Sequence, residues 1–88
     1  MKLQRKHTQI LEKIKKYAPV EVLEDHIIIT LNDWGYTIRK HAPKAKKYTQ
    51  WEVFAWSKFP SDHTFLKVCN TLEDALRYVL SQIIMGGE

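Results

Sequence analysis

Four histidines, one cysteine and ten carboxylates are the side chains of this 88-residue sequence in which metal binding or acid–base chemistry would first be sought. His7, His26, His41 and His63 fall at no spacing that makes two of them a ligand pair, and Cys69 has no second cysteine to complete half of a zinc site. No metal and no cofactor are expected. Ser61, Asp62 and His63 are adjacent, but a nucleophile–base–acid relay is assembled in space, and three neighbours in a turn after Pro60 are not placed for one. Asp62 reads as a turn residue and His63 as facing solvent. Glu21, Glu24, Asp25 and Asp33 have the charge to hold Mg²⁺ for a nuclease, yet no lysine accompanies them, and turns account for them. A glycine-rich phosphate loop is missing too, since two of the three glycines lie in the tail and Gly35 belongs to a turn. No catalytic residue is assigned, and the chain is not expected to be an enzyme.

A different constellation stands out. The run YTQWEVFAWSKFP, residues 48–60, holds two tryptophans, a tyrosine and two phenylalanines, and follows the basic stretch HAPKAKK. Aromatics interleaved with cations suit stacking on bases with nearby charge for phosphates. They equally suit the core of a protein interface, which is enriched in Trp, Tyr, Phe and Arg. Net charge is +4, which permits an anionic partner without requiring one.

The elements that must position these side chains are readable. Residues 2–17 have helical periodicity, with Leu3, His7, Ile10, Leu11, Ile14 and Tyr17 along one arc and Lys2, Arg5, Lys6, Lys13 and Lys16 along the opposite one. Pro19 stops that helix. Strand signals follow: a short VEVL, a turn at Glu24 and Asp25, a hairpin over residues 26–41, a strand over 49–57, a turn at KFPSDH and a strand over 64–69. Between them APKAKK, residues 42–47, reads as an exposed basic loop carrying Lys44, Lys46 and Lys47. A second helix begins at Asn70 or Thr71, each with a carboxylate three residues on, and presents Leu72, Ala75, Leu76, Val79, Leu80 and Ile83 to a core. Residues 86–88 read as a frayed tail.

The expectation is one α+β domain over residues 1–88. It is a two-layer sandwich with an N-terminal helix, an antiparallel meander of about four strands and a C-terminal helix, both helices covering one sheet face. This order overlaps that of double-stranded-RNA-binding domains. The likeness ends at topology, because the start of the second helix, where such domains carry a basic motif, here reads NTLEDA and is acidic.

Strand alternation then divides the aromatics. If Ile38, Val53, Leu66 and Val68 face the helices, the other face carries Phe54, Trp56 and Phe65 with Arg39, His41 and Lys67. The leading expectation is a small nucleic-acid-binding accessory protein, for single strands or duplex. Its helix cations, the 42–47 loop, Arg39 and Lys67 would meet phosphates, and the open face would stack bases. The alternative is a protein-interaction module, an adaptor or inhibitor of the kind phages and mobile elements encode, docking on a larger protein or on a second copy through the same face. No apolar run approaches the roughly 20 residues of a membrane span. With a single cysteine and no apolar leader, the expected compartment is the cytoplasm.

Overall fold

In the computed structural model, which describes residues 1–41 and 49–86, the elements are α1 (Arg5–Lys15), β1 (Val20–Val22), β2 (His26–Thr30), β3 (Trp34–His41), β4 (Gln50–Lys58), β5 (Ser61–Cys69) and α2 (Leu72–Gly86). The five strands form one antiparallel sheet in sequence order, a meander from edge to edge. Both helices lie on one face, so the architecture is the α+β arrangement expected, with five strands once the three-residue β1 is counted.

The apolar periodicities build one core. Ile10, Leu11 and Ile14 of α1 and Leu72, Ala75, Leu76, Val79 and Ile83 of α2 close over Ile27, Ile29, Tyr36, Ile38 and Val53 of the sheet. Full burial of each large aliphatic side chain is worth about 1.5–3 kcal/mol. The helix layer is therefore what fixes which sheet face is inside.

Local signals set the ends. The α1 helix starts three residues later than its periodicity suggests, because Gln4 is extended and caps it: the Gln4 N–H donates to His7 Nδ1 at 3.1 Å. It ends at Lys15, so Tyr17 leaves the expected apolar stripe and is exposed. Of the two caps open to α2, Thr71 is used, its Oγ1 accepting from the Asp74 N–H at 3.1 Å. Such a cap stabilises by about 1 kcal/mol. Gly86 closes α2 instead of joining a tail; residues 87 and 88, like the expected loop lysines Lys44, Lys46 and Lys47, lie outside the described residues.

Two differences matter for the exposed face. The β4–β5 hairpin is tighter than KFPSDH implies, with only Phe59 and Pro60 between the strands and a cis peptide joining them. Ser61, Asp62 and His63 are thus the start of β5, not a turn. A β-bulge follows: Phe54 pairs with Phe65 but Val53 pairs with Lys67, leaving Leu66 as the extra residue. Beyond the bulge the alternation inverts. Lys67 and Cys69 turn to the helix side and Val68 to the open side, the reverse of what uninterrupted alternation predicts.

Candidate functional site

No helix or strand of the described residues covers the second face of the sheet. Its centre is a row across four strands, Ile28, Thr37, Phe54 and Phe65, followed by the next row with Trp56 and His63. The Phe54 and Phe65 rings meet edge to face, with centroids 5.6 Å apart, and His63 meets Phe54 in the same way at 5.8 Å. Phe65 remains 53% exposed, which leaves its ring available to a partner. The alternation Glu52, Phe54, Trp56 against Trp51, Val53, Ala55 holds as the sequence implies, because Val53 is fully buried beneath the helices.

Trp56 is more enclosed. It lies across Gly35, and its indole Nε1 is shielded from solvent with no hydrogen-bond partner among the described residues.

Polar groups ring this apolar centre. The Arg39 guanidinium lies over the Phe54 ring at 5.3 Å and donates to Glu52 Oε1 at 3.0 Å. His41 stands 3.9 Å from the same carboxylate. At the β1–β2 turn His26 Nδ1 is 2.6 Å from Asp25 Oδ1, and this hydrogen bond is the main reason the Asp25 carboxyl sits below its ordinary pKa. Asp25, His26, Ile28, Thr37, Arg39, Phe54 and His63 line a shallow depression of about 490 Å³.

An Asp–His pair and a second histidine beside one depression invite an acid–base reading, but the registers argue against it. His26 and His63 are three strands apart and four residues apart along the sheet. That is roughly 14 Å across and roughly 13 Å along, too far for both to reach one reacting atom. Among the described residues, no three His, Cys, Asp or Glu side chains converge as metal ligands.

Among the described residues the expected cations do not gather here: of these only Arg39 is on the open face, and it is engaged by Glu52. Because of the bulge Lys67 lies on the helix side, exposed, with its Nζ 5.2 Å from the Tyr78 ring of α2. Lys2, Arg5, Lys6, Lys13 and Lys16 are exposed, but they belong to the helix layer, on the far side of the sheet from Phe54. Lys6 is also held 3.5 Å from Glu73 of α2. On the open face itself the described charges are Arg39 and Lys58 against Glu21, Asp25 and Glu52, with His26, His41 and His63 beside them.

Lys58 and Val68 are residues of this face that the sequence expectation did not include. Lys58 was legible from β4 alternation; Val68 was hidden by the bulge. Comparison with known proteins adds nothing to this description: no family model, no curated protein and no solved structure matches the chain. No helix of the described residues is long and apolar enough to cross a membrane.

Proposed function

We propose that this chain is a non-enzymatic protein-interaction domain that docks through the uncovered face of its sheet. One observation carries the reading: the Phe54–Phe65 pair sits at the centre of an open face, charges of both signs stand around it, and the one over the Phe54 ring, Arg39, is paired with Glu52. An apolar, aromatic centre inside a polar rim is the anatomy of a protein interface. Phosphate recognition asks for an excess of cations beside the stacking rings, and among the described residues two cations face three carboxylates there.

The test is photo-crosslinking in the cell, with benzoylphenylalanine in place of Phe65 and, as control, in place of Ser81 on the exposed side of α2. The expected result is a discrete adduct of defined mass from position 65 and none from position 81. Equal or absent adducts from the two positions would remove the reading.

A second reading rests on a separate observation. Lys2, Arg5, Lys13 and Lys16 are exposed on and beside α1, and no carboxylate pairs with them among the described residues. This face supports backbone contact with a nucleic acid, independent of the aromatics. Fluorescence anisotropy with single-stranded and duplex oligonucleotides would then show affinity falling steeply with salt, and a Lys13→Glu/Lys16→Glu variant would lower it for all sequences alike. Binding that ignores both salt and these substitutions would exclude it.

A further inference from the structure

We propose that the occupant of the open face is a second copy of the chain, stacked sheet on sheet about a two-fold axis that lies between the sheets and crosses the strands. The proposal rests on the interaction reading above and names the partner for it. Its basis is the order of side chains along one strand. On the open face β4 presents Glu52, Phe54, Trp56 and Lys58 in succession: acid, aromatic, aromatic, base.

A two-fold axis that reverses β4 lays Glu52 against Lys58 of the second copy and Phe54 against its Trp56, and makes each contact twice. That is the self-complementarity an isologous interface requires. The neighbouring strand obeys the same symmetry. Phe65 lies in the Phe54 row and His63 in the Trp56 row, so Phe65 meets His63 of the second copy.

Sheets packed face to face stand about 10 Å apart, a gap that inner side chains from both fill. Stacked sheets are also rotated by about 30°, which barely moves the central aromatics and shifts the rim by roughly one strand spacing. A lysine spans that shift. The charge balance of the described residues agrees, since cations and carboxylates in near equality do not repel their own copy.

The experiment is sedimentation of the full chain over a wide concentration range, with two variants. The expected result is a monomer–dimer equilibrium that Lys58→Glu weakens by about tenfold or more, because Glu52 then faces like charge. Lys58 is exposed at the end of β4, so its replacement leaves the core intact. The second variant, Glu52→Cys/Lys58→Cys, is expected to form covalent dimers with a bis-maleimide whose length is close to the gap of about 10 Å between stacked sheets. The two positions are six residues apart on one strand, roughly 20 Å, so the reagent does not join them within one chain. A chain that is monomeric at every concentration, or a dimer that neither the charge reversal nor the cysteine pair reports, would overturn the proposal. An adduct of position 65 with a different protein, beside a monomeric chain, would overturn the second copy alone and leave the docking face standing.

Discussion

The indole of Trp56 lies so close over Gly35 that a Cβ at position 35 would stand 2.9 Å from Trp56 Cζ2, and it would also run into the Ile29 carbonyl oxygen. A side chain at this point of β3 would collide with the neighbouring strand's backbone and with the ring that covers the gap. Glycine is thus required by close approach, and the aromatic restores the surface the glycine lacks. Gly35→Ala is expected to cost at least about 2 kcal/mol, as overpacked sites do. Urea denaturation would read it, with Trp emission shifting to the red as the indole is displaced. An unchanged midpoint would mean that β2 and β3 part easily.

Acid should weaken the fold through His7. Its ring is buried at the start of α1, and its Nδ1 accepts the Gln4 N–H, a role only the unprotonated nitrogen can play. Burial, then the neighbouring Lys6 charge, lower its pKa below the ordinary histidine value. The unfolded chain therefore takes up the proton first. Stability is complete above the unfolded value of about 6.5 and declines as pH falls from there towards the lowered folded value. Thermal unfolding across this range would follow the decline, and His7→Gln, which keeps a capping side chain at the same helical position, is expected to flatten it. A slope that persists in the variant would place the titrating group elsewhere.

Most of the fold was legible because its signals are local. The stripe of α1, the cap at Thr71 and the alternation of Val53 with Phe54 each depend on a few neighbours in sequence. What escaped depends on pairing between strands. The extra residue at Leu66 leaves no mark in composition, yet it sends Lys67 to Tyr78 and Val68 to the open face. The turn at KFPSDH illustrates the same limit. Ser61, Asp62 and His63 look like turn residues, but pairing with Lys58, Ser57 and Trp56 makes them strand. Phe54, Trp56 and Phe65 share one face as alternation implies, while Lys67 and the cations at the N-terminal helix do not join them there. Whether Lys2 or Lys13 shares a surface with Phe54 is decided by which layer α1 joins, and no spacing within the helix encodes that.

Cys69 should behave as a buried hydrophobe. It ends β5 opposite Trp51, is buried against the core, and burial raises its thiol pKa. Both accessibility and thiolate fraction are thus reduced. The native protein is expected to react with an aromatic disulfide reagent far more slowly than the denatured chain, at a rate that rises with urea in step with unfolding. Prompt stoichiometric labelling of the native state would show that the C-terminal end of β5 opens on its own.

Val53 and Phe54 are neighbours with opposite tasks, and that contrast can be measured. Val53 is wholly buried under the helices, so Val53→Ala removes two methyl groups from a packed site and is expected to cost on the order of 2 kcal/mol. Phe54 is half-buried on the open side, in edge contact with Phe65 and His63 and beneath Arg39. Phe54→Leu keeps an apolar side chain there and is expected to cost less than about 1.5 kcal/mol. Association should order the two variants the other way. The Val53→Ala protein, while folded, keeps the whole docking surface and should sediment as the wild type does; Phe54→Leu loses the ring that meets Trp56 of the second copy and should shift towards monomer. Urea midpoints taken at dilute concentration and sedimentation at high concentration separate the two effects. If Phe54→Leu is the more destabilising and leaves association unchanged, Phe54 belongs to the folding core and the open face has another use.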